Sequence, residues 1–301
     1  MTAQGSSHAP ADGPASDPGV AGVDAAAVAD AVHITWLGHA TVLIDVGGHR
    51  IITDPALTRR LAHLVRRAPA PDVGPVDTVL ISHLHMDHLH RRSLQQVATR
   101  ATVVVPDGGH GLVRGVGAAR VDGVRVGDRI ELGPLGDSDT DVSIDVVHAD
   151  HSCRRGPHTR QAAEPVGFVI RIGERTIYFA GDTGLFDGMA DLGPIDVALL
   201  PIWGWGSSLG TRHLDPVTAV TAVERIAPER LVPIHWGTYS PARAGRGAPA
   251  WLDSPLEALR AELTARGHEH RLHALPPGGS MTLHPASSEA EGSGGRDAPR
   301  R

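Results

Sequence analysis

Between Val79 and His90 the chain reads Val-Leu-Ile-Ser-His-Leu-His-Met-Asp-His-Leu-His, an apolar run that delivers His83, His85, Asp87 and His88 into one short turn. His83 and His85 are two apart, so extended backbone points both imidazoles to one side. Asp87 and His88 follow where the chain turns and can face a second position nearby. Imidazole nitrogens with carboxylate oxygens are a donor set for zinc, and added carboxylates widen the choice to manganese or iron. Even in a chain with 19 histidines and 34 acidic residues, three His and one acid at these fixed spacings arise by accident in under roughly 1 in 100 sequences. The bland alternative is a polar turn with solvated histidines.

The rest of the chain weighs against that alternative. The apolar run Thr78 to Ser82 reads as a buried strand that ends at the histidines, and the pattern recurs. Val142 to Val147 leads into His148 and His151, Thr176 to Ala180 into Asp182, Leu231 to Ile234 into His235, and Arg50 to Thr53 into Asp54. Loops held by a rigid sheet are where binding groups are expected, so these strand ends offer their side chains to one rim. A hydrolytic centre with two ions needs about six or seven N/O ligands, a bridging carboxylate and room for water. His83, His85 and one later His would hold the first ion; Asp87, His88 and His235 would hold the second, with Asp182 bridging. A water shared between ions about 3.5 to 4 Å apart has its pKa lowered to roughly 7, which makes hydroxide the nucleophile.

Composition frames this site. The chain has 301 residues, 41% hydrophobic and 21% charged, with a net charge of −6, which suits a soluble globular protein and gives no basic surface for nucleic acid. Every basic residue is Arg. The single cysteine, Cys153, allows no intramolecular disulfide, and no signal peptide or membrane-length apolar run is present; a cytoplasmic location is the expectation. Residues 1–31 and 286–301 are poor in large apolar residues and read as disordered tails around a folded unit of 32–285. Within it, short β-branched runs punctuated by Gly alternate with helices predicted over Ser93–Thr99, capped by Ser93, over Pro216–Ile226 and over Ser254–Arg266. Residues 57–67 suit a short helix or ordered loop, with Arg59, Arg60, Arg66 and Arg67 on a solvated face. The class expected is α/β (α+β), two stacked mixed sheets covered by helices.

His83-Leu84-His85-Met86-Asp87-His88, with Gly181-Asp182-Thr183 and Pro233-Ile234-His235, resembles the metallo-β-lactamase superfamily. The resemblance covers about 32–285 and implies the αββα sandwich with its site at one edge between the sheets. Trp36-Leu37-Gly38-His39-Ala40-Thr41, Thr53-Asp54-Pro55, Leu200-Pro201-Ile202 and His213-Leu214-Asp215-Pro216 resemble the branch that holds the ascorbate-6-phosphate lactonases and the phospholipases D acting on N-acyl-phosphatidylethanolamine. The branch pattern of a His, a small polar residue and then Arg-Gly favours His151 over His148 as the third histidine ligand. His148 is then a rim residue.

The resemblance also implies roles around the ligands. Asp54 would sit behind them and accept the free N–H of a bound His. His39 and His213 would stand at the rim, donating to a developing oxyanion or protonating a leaving group; with Asp87 they are the catalytic candidates. Arg154 and Arg155 could grip a phosphate or carboxylate, Trp203 and Trp205 could wall an apolar substrate, and Trp251 could serve an interface. The function expected is a hydrolase that uses two divalent ions, zinc (Zn2+) or else manganese (Mn2+), and a bridging hydroxide on a phosphodiester or a lactone or ester. Its partner would be a small-molecule or lipid-like substrate, with no nucleic acid. An iron redox protein on the same scaffold, or a binding module, are the alternatives.

Overall fold

The computed structural model describes residues 31–134, 140–156, 158–204, 210–241 and 252–284. The expected tails, apart from Ala31, and also Trp205 and Trp251, lie outside these residues. The chain runs β1 (Val32–Gly38), β2 (Thr41–Val46), β3 (His49–Thr53), β4 (Arg60–Leu61), β5 (Leu64–Arg66), β6 (Thr78–Leu80), α1 (Arg91–Val97), β7 (Thr102–Pro106), α2 (His110–Val113), β8 (Arg120–Val124), β9 (Arg129–Pro134) and β10 (Asp141–His148). It continues with β11 (Val166–Ile172), β12 (Arg175–Phe179), β13 (Val197–Pro201), α3 (Pro216–Ile226), β14 (Arg230–Ile234), β15 (Tyr239–Pro241), α4 (Ser254–Ala265) and β16 (Ser280–Leu283).

Alternation along the strands decides how these pieces stack. Leu80, Val104, Phe168, Phe179, Leu199 and Val232 turn inward to one shared cluster that also holds Ile34, Trp36 and Ile144. Their chain neighbours face the other way: Val79, Ile81, Val103 and Val105 pack with Leu94 and Val97 of α1 and Val113 of α2. On the opposite side Val169, Tyr178, Ala198 and Leu231 pack with Val220 and Val223 of α3 and Leu259 and Leu263 of α4. The layers are therefore helix, sheet, sheet, helix, as the sequence led us to expect. The seven-stranded sheet has the order β16-β1-β2-β3-β6-β7-β8 and the six-stranded sheet β14-β13-β12-β11-β10-β9. Pro233 is tolerated because β14 is an edge strand, where a missing N–H breaks no ladder. Helix α3 starts where Asp215 accepts from the Thr218 N–H and the Thr218 hydroxyl accepts from the Asp215 N–H, each at 2.8 Å. No helix among the described residues is long and apolar enough to cross a membrane.

Three local expectations change. Residues 57–67 form no helix: β4 and β5 make a hairpin that joins β15 in a small third sheet. Helix α1 begins at Arg91 with His90, not Ser93, as its cap. Most consequential, Arg66 is no solvated residue. It is 6% exposed, and its guanidinium donates to the carbonyls of Leu37, Ala56 (2.9 Å) and Ala68 (3.1 Å) beneath the Tyr239 ring. Pairing of Arg66 with Tyr239 in the β5–β15 ladder turns the side chain inward.

Candidate metal centre

The strand ends meet at one rim, and the sharp turns there impose unusual backbone. Of the described non-glycine residues with positive φ, His39 (55°), Asp54 (33°) and His235 (62°) all stand in the site. Such conformations persist only where the surroundings over-determine them, and they gather at functional sites. Gly181, at φ 61°, lets the Asp182 loop press on Ser82: a Cβ there would lie 2.5 Å from the Ser82 Cβ. Gly181→Ala is expected to destabilise the protein by about 2 kcal/mol, since overpacking costs about 1–3 kcal/mol; a thermal melt like that of the parent would contradict this.

Two donor groups converge. In the first, His83 Nε2 and His151 Nε2 lie 2.9 and 3.1 Å from His85 Nδ1. Ligand nitrogens on one tetrahedral zinc stand roughly 3.3 Å apart, from a Zn–N distance near 2.05 Å, so one ion fits this triad. In the second, His88 Nε2 and His235 Nε2 are 3.2 Å apart, and Asp87 Oδ2 lies 3.5 and 3.8 Å from them. Asp182 stands between the groups, 3% exposed, with Oδ2 at 3.3 Å from His88 and 3.9 Å from His151, and Oδ1 at 3.2 Å from His235. Asp182 Oδ1 and His213 Nδ1 are buried without a hydrogen-bond partner, which a cation and a substrate would remedy. The residues present fit a pair of divalent ions.

Four of these histidines engage the opposite ring nitrogen, Nδ1, as well. His88 Nδ1–H donates to Asp54 Oδ2 at 2.7 Å. His83 Nδ1–H donates to Ser82 Oγ at 2.9 Å, and that hydroxyl donates to the same Asp54 oxygen at 2.5 Å. His151 donates to the Arg212 carbonyl and His235 to the Trp203 carbonyl. Each bond fixes a tautomer and leaves Nε2 with its lone pair toward the centre. Asp54 is fully buried and orients one histidine of each group. Ser82, Thr238 and Arg66 support the site without having been singled out from the sequence; only the adjacency of Ser82 to His83 could have signalled one of them.

The structure separates the remaining candidates. His151 joins a donor group, whereas His148 is exposed with its edge against Phe186. His39, expected at the rim, is 2% exposed, and its Nε2 donates to Asp87 Oδ2 at 3.1 Å. His213 does stand at the rim, 3.7 Å from Asp182 Oδ2. Arg155, expected to hold an anion, donates instead to the carbonyls of Leu84 (2.8 Å) and Leu89 (3.5 Å), bracing the histidine turn. Arg154 is exposed and pairs with Ala162 in an isolated bridge. The Trp203 indole lines a small cavity with His39 and His235.

Burial and mutual charge shape the protonation states. Burial is the largest influence on His39 and His213, lowering them to about 3 and about 4; burial first and the neighbouring histidines next lower His85 to about 4 and His83 well below its usual value. Burial pushes Asp87 and Asp182 up, but the surrounding imidazoles outweigh it and hold both far below the usual carboxylate range. Burial likewise lowers His88 and His235, and the carboxylates beside them outweigh it and raise both. In metal-free protein, folding and protonation therefore compete. Below about pH 6.5 the unfolded chain protonates His39, His83, His85 and His213 while the folded chain keeps them neutral, so their stabilisation is complete above that pH and is lost as pH falls toward 4. His88 and His235 carry a proton in both states there; their contribution is lost only as pH rises above 6.5 through their folded values. Metal-free protein is expected to unfold at a lower urea concentration at pH 5 than at pH 6.5, and a higher midpoint at pH 5 would contradict this.

A family model, the beta-lactamase superfamily domain, matches residues 49–236. A UPF0173 metal-dependent hydrolase of Caldivirga maquilingensis is 32% identical over 255 residues, spanning 83% of this chain and 98% of that protein. Among solved structures, Igni18, a metallo hydrolase from Ignicoccus hospitalis, gives a TM-score of 0.59 at 23% identity over 84% of this chain and 98% of its own. An isothiocyanate hydrolase from Delia radicum gut bacteria gives 0.61 at 19% identity over 83% and 98%. These structural likenesses show the fold, and the sequence relationship carries the family. The chain belongs to the metallo-β-lactamase superfamily and is a metal-dependent hydrolase.

Proposed function

We propose that this hydrolase works with two divalent ions, zinc in preference to manganese, and cleaves a phosphodiester or a lactone or ester in a small or lipid-like molecule. The observation that carries the reading is the pair of donor groups meeting at the buried Asp182 carboxylate. His83, His85 and His151 would hold one ion, and Asp87, His88 and His235 the other. When bound, the pair would supply hydroxide at neutral pH and polarise the electrophilic oxygen of the substrate.

The chain's own groups do the rest. Asp54 fixes the tautomers of His88 and, through Ser82, of His83. His213, neutral at pH 7 because burial lowers it to about 4, carries one N–H that can donate to oxygen charge developing beside Asp182. Met86, between His85 and Asp87 and 56% exposed, would offer an apolar contact to a substrate with a hydrocarbon portion. His213→Ala is expected to lower kcat about 100-fold with both ions retained, the scale of one oxyanion donor or proton-transfer group. Unchanged kcat would remove His213 from the chemistry.

Elemental analysis of protein purified without chelator, beside turnover of bis-p-nitrophenyl phosphate, a lactone and a β-lactam, tests the whole reading. Two equivalents of zinc or manganese with hydrolysis of the diester or the lactone support it. One equivalent of iron and no hydrolysis would replace it with the redox alternative.

A further inference from the structure

His39 is fastened through its backbone N–H, its carbonyl and its Nε2. Its N–H donates to Thr238 Oγ1 at 2.6 Å, and its carbonyl accepts from the Trp36 indole at 2.8 Å and from the His235 N–H at 2.9 Å. The backbone holds φ 55° directly after Gly38, which itself sits at 102°. From this fixed base the ring lies against His235, centroids 4.1 Å apart, and Nε2 reaches Asp87 Oδ2 at 3.1 Å. Asp87 follows two residues after His85 in a turn, is 20% exposed at its side chain, and has no strand of its own to orient it.

Asp87 and His235 come from opposite sheets and gather with His88 and with His39 itself into one group of four donor side chains, of which Asp87, His88 and His235 are read above as the ligands of the second ion. We propose that His39 is the positioning residue for the ligands Asp87 and His235: its Nε2–H sets the Asp87 carboxylate, while its carbonyl and ring set His235, so that the second ion binds tightly only when His39 is present. The proposal rests on the two-ion reading above. Its reach is selective, because His39 is no member of the triad His83, His85 and His151. A direct ligand role for the same nitrogen is the competing account, and the two exclude each other, since a ring nitrogen that gives its proton to Asp87 has no lone pair for an ion.

Two amide replacements separate these accounts. Asn tolerates positive φ, but its amide ends where the histidine Nδ1 stood, short of Asp87. Gln carries its amide to the place of Nε2 and can donate to the carboxylate as a neutral group. Zinc stoichiometry and stepwise dissociation constants would be measured on stripped, re-titrated wild type, His39→Asn and His39→Gln, with metal-free circular dichroism spectra and melts as the check on folding. Expected are two zinc ions for wild type, a second ion weakened at least about 10-fold to 100-fold in His39→Asn with the first unchanged, and recovery of the second ion in His39→Gln. An unchanged second ion in His39→Asn would overturn the proposal. Loss of the second ion in both variants would assign His39 as a ligand instead. A single ion in wild type itself would remove the two-ion reading and the positioning role together, and is distinguished from the other outcomes by appearing before any substitution.

Discussion

Asp182→Asn is expected, on the proposed two-ion reading, to abolish ion pairing and to cost at least about 10³-fold in turnover, equivalent to about 4 kcal/mol of transition-state stabilisation. The replacement is isosteric, so the tight turn at Gly181 and the loop packing survive. What changes is the charge at the point where His88, His151 and His235 converge within 3.3, 3.9 and 3.2 Å of the carboxylate. An amide has one acceptor oxygen where the carboxylate has two, and its NH2 group turned toward the centre repels a cation. The loss also reaches the metal-free protein. Burial lowers His88 and His235, and Asp182 together with the other carboxylates beside them outweighs it and raises both, so both should titrate lower in the variant, which NMR of the imidazole protons would report. Full turnover with both ions bound would refute the bridging role.

The second large effect falls on a residue that is itself no ligand. Arg66→Met keeps much of the aliphatic bulk but strips donors from the Leu37 and Ala68 carbonyls; the Ala56 carbonyl retains the Tyr239 hydroxyl at 2.8 Å. The buried Leu37 carbonyl left unsatisfied costs about 1–3 kcal/mol, whereas Ala68 is exposed and its carbonyl can turn to water, so the total should be about 2 kcal/mol. For a domain of this size that lowers Tm by about 4–8 °C. Because Leu37 leads into Gly38 and His39, the variant should also loosen the rim where β1 ends. A melt within 2 °C or so of wild type would show that water replaces the guanidinium without penalty.

The fold was legible where apolar periodicity was long and each strand closed on a polar cluster. Leu231 to Ile234 ending at His235, or Thr176 to Ala180 ending at Asp182, announce both a buried strand and the group it delivers. The helix Pro216–Ile226 was legible to the residue because its start is written locally, in the Asp215 and Thr218 side chains. What escaped was decided by distant pairing. The hairpin β4–β5 is too short to show a period, and its third strand, β15, comes from the far end of the chain. Arg66 therefore looked no different from Arg59, Arg60 and Arg67, and only the tertiary fold separates the buried guanidinium from the solvated ones. His39 was noticed as a motif residue, but nothing local says that it lies beneath Asp87 and not at the mouth. Arg155 shows the same limit: its neighbour His151 made an anion grip attractive, whereas the fold hands its guanidinium to the Leu84 and Leu89 carbonyls.

The strand that leads into His39 opens the described chain and lies beside the strand that closes it. β1 pairs on one side with its immediate successor β2 and on the other with β16, Val32 opposite Leu283 and Thr35 opposite Ser280, and Trp36 exchanges backbone hydrogen bonds with Gly278 and Gly279. During synthesis this edge can close only after β16 has emerged, so the sheet must wait with Ile34 and Trp36 half covered, and a nascent chain is most exposed to misassociation at that moment. The same adjacency makes the molecule a natural subject for circular permutation. A short linker from Leu283 to Val32 would span neighbouring strands about 5 Å apart, and new ends opened at the exposed turn near Gly127, between the two sheets, would leave every donor of the centre on an unbroken segment.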